Sequence, residues 1–215
     1  LREFGKLYSK TNKPQDEESI LLKSLEIFKK TLGDNHPRYF ITLSDLAFFY
    51  SNYGIYDKSS TYYSKACKKI GDFYGDSSMN YLICQHLKAR NLIFQNNYDN
   101  SERIYLDAIS ILNNKDFNKE NRNEYTELLS SILHNLAIVY QYQGQYMKSE
   151  KFFLQTLNIK ESINESENAK ENESYAVTLG SFSITLAELG KIEEAEKMLL
   201  KSKDLLTNCE GVSGK

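Results

Sequence analysis

Five stretches of this chain carry the same sparse pattern, and its recurrence at intervals of 42, 42, 48 and 46 residues limits the fold more than composition does. With the small residue Ala47 as anchor, the pattern continues with Tyr50 at +3, Gly54 at +7, Tyr56 at +9, Ser59 at +12, Tyr63 at +16 and Ala66 at +19. Ala89 leads to Leu92, Asn96, Tyr98, Ser101, Tyr105 and Ala108, and Ala137 to Tyr140, Gly144, Tyr146, Ser149, Phe153 and Thr156. Ser183 gives Leu186, Gly190, Ile192, Ala195, Leu199 and Ser202. The weakest copy starts at Gly5, with Tyr8, Asn12, Pro14, Glu17, Leu21 and Ser24. Each copy reads as two amphipathic helices joined by a tight turn. Leu43, Leu46, Ala47 and Tyr50 share one helical stripe, and Tyr63, Ala66, Cys67 and Ile70 share the next. The +7 residues are Asn12, Gly54, Asn96, Gly144 and Gly190, the two types that tolerate positive φ where a helix ends.

A small residue, an aromatic three later, a turn glycine, then Ala, Phe or Tyr, and Ala along a second helix: in this pattern the chain resembles the tetratricopeptide repeat over nearly its whole length. The intervals exceed the roughly 34 residues of the ordinary repeat. Leu32-Gly33-Asp34-Asn35-His36-Pro37 precedes the second copy, and Leu-x-x-Leu-Ala runs occur at Leu43–Ala47 and Leu133–Ala137. In these features the chain is similar to the kinesin light chain subclass, with its longer helices and LG-x-x-HP link. The next link, Tyr74-Gly75-Asp76-Ser77-Ser78, lacks the His-Pro. The resemblance implies an all-α fold, a right-handed α-solenoid of about five helix-turn-helix units in one domain over 1–207. Unit boundaries fall at about 1–33, 34–75, 76–119, 120–168 and 169–207, and the tail 208–215 is expected to be disordered. Helix should reach at least about 70% of residues, without sheet.

Composition excludes several classes of function. Lys and Arg number 27 against 29 Asp and Glu, so bulk charge gives no reason to expect nucleic acid or an anionic membrane as partner. No apolar run approaches the roughly 20 residues of a membrane span. Cys67, Cys84 and Cys209 form an odd set without C-x-x-C spacing, so neither a disulfide framework nor a zinc site is expected. Cys67 and Cys84 read as small buried apolar residues, and the set suits a reducing, cytoplasmic setting. The start at Leu1, inside a helical pattern, is expected of a fragment of a longer protein. Leu112–Glu124 reads as a surface loop, and the charged stretch Glu161–Ser174 as a fraying link. Lys197, Lys201 and Lys203, with Glu193, Glu194 and Glu196, suit the polar outer face of a capping helix. The first helix of the third unit is unusually polar, since Gln85 and Lys88 stand where the second and fourth units have leucine.

No Gly-rich phosphate loop, H-E-x-x-H, nucleophile elbow or paired-carboxylate setting is present. No enzyme, cofactor or metal is expected. His86 and His134 each lie three residues before an anchor, but a third metal ligand is lacking. The family resemblance implies a concave groove lined from the first helices at −6, −3, +1, +4 and +5. In the first unit these positions hold Arg2, Lys6, Ser9 and Lys10; in the second, Ile41, Ser44, Phe48, Ser51 and Asn52. The third brings Ile83, His86, Arg90, Ile93 and Phe94, the fourth Ser131, His134, Ile138, Gln141 and Tyr142, and the fifth Val177, Gly180, Ile184, Ala187 and Glu188. The expected peptide site is His86, Arg90, Phe94, His134, Asn135, Ile138 and Tyr142, with Phe48. It offers one fixed charge, hydrogen-bonding groups and aromatic walls. The fitting partner is an extended protein segment with an acidic residue beside a large apolar one, held by a scaffold or adaptor. Alternatives are a structural subunit that bridges through its ends or convex face, and a regulatory domain of a larger protein. The carboxylate grip by which family members hold heat-shock chaperone tails is not expected. Its five places fall on Arg2, Lys6, Asp45, Ile83 and Leu87, or Ser44, Phe48, Leu87, Ser131 and Asn135, or His86, Arg90, Asn135, Val177 and Ser181; no set keeps the required cations and amides.

Overall fold

The computed structural model describes residues 14–114, 122–163 and 169–212, and every element among them is a helix. In chain order they are α1 (Pro14–Leu32), α2 (Pro37–Asn52), α3 (Tyr56–Tyr74), α4 (Met79–Phe94), α5 (Tyr98–Asn114), α6 (Arg122–Tyr142), α7 (Tyr146–Ile163), α8 (Ala169–Glu188) and α9 (Ile192–Val212). The fold is an all-α helical repeat solenoid. The first expected helix, with Arg2, Lys6, Ser9, Lys10 and Asn12, lies outside the described residues, as do 115–121 within the expected loop. The expected fraying link is helical at both flanks, to Ile163 and from Ala169, and 164–168 lie outside the described residues. Helix α9 runs on to Val212.

The chain divides into two compact units, one ending at Ile104 and one beginning at Tyr105, each with its own core. Within each, helices pack chiefly on their neighbours in sequence: α1 on α2, α2 on α3, α3 on α4; then α6 on α7, α7 on α8, α8 on α9. Such nearest-neighbour packing lets each helix pair use the next to cover its apolar face.

The turns inside the pairs are copies of one another. Gly54, Asn96, Gly144 and Gly190 have φ of 72°, 56°, 71° and 77°. In the first, the Gly54 amide donates to the Ser51 carbonyl at 3.1 Å and the Ile55 amide to that of Tyr50 at 2.8 Å. Equivalent bonds join Asn96 to Ile93 and Asn97 to Leu92, Gly144 to Gln141 and Gln145 to Tyr140, and Gly190 to Ala187 and Lys191 to Leu186. This double closure satisfies the last carbonyls of the first helix, and its left-handed residue is why Gly or Asn recurs at +7.

Crossing of the paired helices is also uniform. Ala47, Ala89 and Ala137 are fully buried, and so are Ser59, Ser101 and Ser149. Each serine hydroxyl donates to the carbonyl of the alanine twelve residues earlier, at 2.7, 2.9 and 2.8 Å. The last pair has Ala195 at that place. There the Ser202 hydroxyl bonds the Ala176 carbonyl instead, at 2.7 Å.

The two early links solve one capping problem differently. Ahead of α2, the His36 ring accepts the Arg38 amide and Pro37 takes the first helical position, where its missing N–H costs nothing. Ahead of α4, the Ser78 hydroxyl accepts the Tyr81 amide at 3.3 Å and donates to the Gly75 carbonyl at 2.8 Å. Serine thus replaces His-Pro as the helix start.

Two expectations are corrected. Cys67 on α3 and Cys84 on α4 are joined by a disulfide, with Cα atoms 5.5 Å apart. Their spacing matches no motif because the helix hairpin, not local sequence, brings them together. Both are buried among Phe40, Leu43, Ala66 and Ile70. Helix α9 is not polar over its outer surface: Ile192, Leu199, Leu200 and Leu206 are exposed, while Lys201 donates to the Tyr175 hydroxyl and lies 5.0 Å from that ring's centre.

Ala137→Trp should destabilise the fold by at least the roughly 1–3 kcal/mol of an overpacked core, since no space exists at this crossing. An unchanged urea midpoint would show that the anchor register is wrong. Replacing Cys67 and Cys84 together by Ala should lower stability by about 3 kcal/mol, because the bridge closes a loop of 17 residues. Equal midpoints for variant and wild type under oxidising conditions would contradict the bridge.

Candidate functional site

On the first helices, large side chains at the inner offsets stay in solvent while their neighbours are buried. Ile41, Phe48, Phe94, Tyr142, Val177 and Ile184 are all exposed, between 44% and 61%. Leu43, Leu46, Ala89, Leu136 and Leu186, on the same helices, are nearly or fully enclosed. An α-helix does this when one stripe packs and another, rotated from it, faces water. Ile93 breaks the expected pattern, because at 7% exposure it belongs to the packed stripe of α4.

In the N-terminal unit the structure brings Phe48 and Arg90 together. The guanidinium carbon of Arg90, on α4, lies 5.9 Å from the centre of the Phe48 ring on α2, within reach of a cation–π attraction. Tyr63 of α3 is 1% exposed, and its hydroxyl oxygen has no hydrogen-bond partner among the described residues. Burial pushes its pKa up to about 12, with Arg90 pulling the other way and Asp45 adding to the rise. The Arg90 guanidinium offers hydrogen-bond donors to an anionic oxygen. His86 is half-buried on α4, one turn before Arg90. Phe94 is not an isolated wall, since its ring stacks on Tyr56 at 5.4 Å with an 8° tilt.

In the C-terminal unit the expected residues divide. Tyr142 is 61% exposed at the end of α6, whereas Asn135 and Ile138 are half-buried and Ile138 leans on the core. His134 is engaged in packing: its Nδ1 lies 3.2 Å from Thr178 Oγ1 on α8, and its ring meets Phe153 edge-on at 5.6 Å. Burial, with the Lys160 charge second, lowers its pKa to about 4. Among the described residues no group of three or more His, Cys, Asp or Glu is placed to hold a metal ion.

The tetratricopeptide repeat family matches residues 128–208 and again 1–38, which together exceed half of the sequence. This chain belongs to the tetratricopeptide repeat family. No curated protein matches it. Among solved structures it is similar to the nearly identical TPR-like repeats of a putative kinesin light chain from Podosopora anserina, at 17% identity and a TM-score of 0.72, covering 96% of this chain and 93% of that one. It is also similar to BtubC (BKLC) from P. vanneervenii, at 18% identity and a TM-score of 0.78, covering 96% and 78%. A third similar structure is NprR in complex with its cognate peptide NprX, at 20% identity and a TM-score of 0.64, covering 89% of this chain and 50% of that one. The fold is therefore that of kinesin-light-chain-like repeats.

Within this tetratricopeptide repeat, residues two places after the anchors reach back to the preceding pair, a role that the sequence did not reveal. Asn91, 1% exposed, donates to the Tyr56 carbonyl at 3.1 Å and to Ser60 at 2.8 Å, and Ser60 bonds Gln95, which in turn donates to Asp57. Thr185 does likewise on α8, 2.9 Å from Ser149 and 3.2 Å from the Gln141 amide nitrogen. The only sequence signal was the polarity of α4. That helix packs through Leu82, Cys84, Ala89, Asn91 and Ile93, so its stripe is rotated and includes an amide.

His134 predicts a pH dependence. Its folded-state pKa of about 4 lies below the ordinary 6.5, so the unfolded chain takes up the proton first and stability falls as pH drops from about 6.5 towards 4. The loss is on the order of 3 kcal/mol. His134→Gln should flatten this slope in denaturation curves across that window; an identical slope would show that other groups cause it.

Proposed function

We propose that this chain is a non-enzymatic scaffold that holds an extended segment of a partner protein along the inner face of its first helices. The observation that supports this most is the Arg90 guanidinium over the exposed Phe48 ring. It pairs a donor for a carboxylate with an apolar surface for the residue beside it. Arg suits such a place because its planar fork takes a carboxylate in two hydrogen bonds while its face rests on an aromatic ring. The preferred segment carries an acidic residue next to a large apolar one. Its apolar neighbours would run over Ile41 and Phe94 in this unit, with His86 as a further hydrogen-bonding group; Tyr142, Ile138 and Asn135 would serve in the C-terminal unit, where His134 is taken up by packing. A kinesin-light-chain-like adaptor role, linking a cargo or complex, agrees with the fold, and the NprR neighbour was solved with a peptide bound.

A cytoplasmic setting belongs to this reading and implies that Cys67 and Cys84 would meet reductants there. No described helix is long and apolar enough to cross a membrane. The expected insensitivity to chaperone tails also stands as a proposal, because Arg90 lacks the accompanying cations of that grip.

Peptide-library display on the wild-type chain should enrich sequences with Asp or Glu beside Phe, Leu, Ile or Tyr. For the enriched peptides, Arg90→Glu should weaken binding at least tenfold, the loss of a charged hydrogen bond of roughly 1.5–3 kcal/mol, with the melting temperature unchanged. Lys68→Glu, exposed on α3, is the control and should do neither. Equal affinities for all three proteins would remove the site from this place.

A further inference from the structure

Within the N-terminal unit, the α2–α3 turn and the α4–α5 turn border one open depression of about 660 Å³. Gly54, Ile55, Tyr56 and Asp57 line it on one side, Gln95 and Asn97 on the other. Asp57, in the first turn of α3, is exposed, yet its carboxylate is held in place. Asn91, 1% exposed, donates to Ser60; the Ser60 hydroxyl donates to the Gln95 side-chain oxygen at 2.9 Å, and the Gln95 amide nitrogen donates to Asp57 Oδ1 at 2.9 Å. A row of donors that starts on a buried amide thus ends on one carboxylate oxygen. The charge itself is unmatched. Lys58 lies over the Tyr50 ring, 4.9 Å from its centre, and 3.9 Å from Glu18, and no lysine or arginine among the described residues pairs with Asp57. Apolar surface adjoins it, for Phe94 is exposed and stacks on Tyr56, and Ile55 is exposed as well. An acidic residue at this place also complements the helix dipole. That role requires neither the amide row that orients the group nor the aromatic pair beside it.

We propose that this depression takes a basic side chain of the bound segment, with its ammonium or guanidinium on Asp57 and its aliphatic stem along Tyr56 and Ile55. The proposal rests on the reading of the inner face as a peptide site and adds a second charge to it. A fixed carboxylate gives a cation a charge-assisted hydrogen bond, stronger than a neutral one. The rings attract the same cation, and a lysine or arginine stem covers apolar surface while its head stays at the water boundary. Arg90 and Gln95 are five residues apart on α4, about 7.5 Å along the helix axis, which an extended chain spans in about two residues. The segment therefore carries its acidic residue, for Arg90, and its basic residue, for Asp57, two or three positions apart. A segment laid in the opposite sense would set like charges together, so the pair also fixes the direction of binding.

The test is display of a random peptide library on the wild-type chain and on Asp57→Asn, which keeps an acceptor for Gln95 and removes the charge. The wild type should enrich Lys or Arg two or three positions from Asp or Glu. Asp57→Asn should lose the basic preference and keep the acidic one, with the same helical dichroism. For an enriched peptide followed by fluorescence anisotropy, Asp57→Asn should weaken binding about tenfold, the loss of one charged hydrogen bond. Exchange of the peptide's basic residue for norleucine should weaken binding to the wild type to the same extent and change binding to Asp57→Asn by less than about twofold. A basic preference that persists in Asp57→Asn, or enriched peptides that depend on Arg90 and show no basic preference, would overturn this proposal and leave the Arg90 site standing. No enrichment, or enrichment indifferent to both Arg90→Glu and Asp57→Asn, would overturn the two together.

Discussion

Everything regular in this structure depends on how closely two helices can cross at an alanine. With only a methyl group at Ala47, Ala89 and Ala137, the second helix approaches until a serine hydroxyl reaches the anchor's own carbonyl, at 2.7–2.9 Å in each case. A helical carbonyl already accepts one amide, but its second lone pair remains free for such a donor. A buried hydroxyl without a partner would cost about 1–3 kcal/mol, so the bond satisfies a group that close packing has already taken from water. Its net contribution is modest; its consequence is geometric. One hydroxyl and one carbonyl fix the rotation and register of the second helix on the first, and identical fixing in successive pairs makes their outer stripes repeat.

That repetition is what turns a packing rule into a possible recognition surface. Once the Ala stripe is buried, offsets +1 and +5 lie on the other side of the helix. The chain places Phe48, Phe94, Tyr142 and Ile184 there, in solvent, where a structure needing only stability would be expected to use polar residues. Polar groups meanwhile sit at +2, inside the stack, where Asn91 and Thr185 tie one pair to the one before. A purely apolar interface could slide by a fraction of a turn; a directed amide or hydroxyl bond resists sliding. The exposed rows keep their places because the buried polar contacts do not let neighbouring pairs shift.

The sequence disclosed what is local and repeated. Turn residues are dictated by φ, so Gly54, Asn96, Gly144 and Gly190 could be read directly, and the anchors followed from them. Ser59, Ser101 and Ser149 were legible only as small residues, because side-chain size shows in a pattern and the direction of a hydroxyl does not. Contacts between pairs were largely hidden. The Cys67–Cys84 bridge depends on α3 and α4 crossing at one height, and the engagement of His134 by Thr178 depends on how far α8 is rotated. Of the expected site residues, Phe48 and Arg90 meet, Phe94 is shared with Tyr56, and His134 serves the core. Offset from an anchor gives the direction in which a side chain leaves its helix. What occupies that direction is decided by the neighbouring pair.

The same dependence explains why the last pair differs from the others. Each pair presents two faces, one shaped to cover its predecessor and one shaped to be covered. On α9 the second of these faces carries Ile192, Leu199 and Leu206, all exposed. Leu199 occupies the place of fully buried Phe153, but as a residue with half its surface in water, so among the described residues it has no counterpart of the helix that covers Phe153. Ala195 has also lost the hydroxyl that marks the crossing in the three complete pairs, and Ser202 holds the helices from a different height. The last pair therefore keeps the apolar part of an interior interface while giving up the polar part that enforces the repeat's own register.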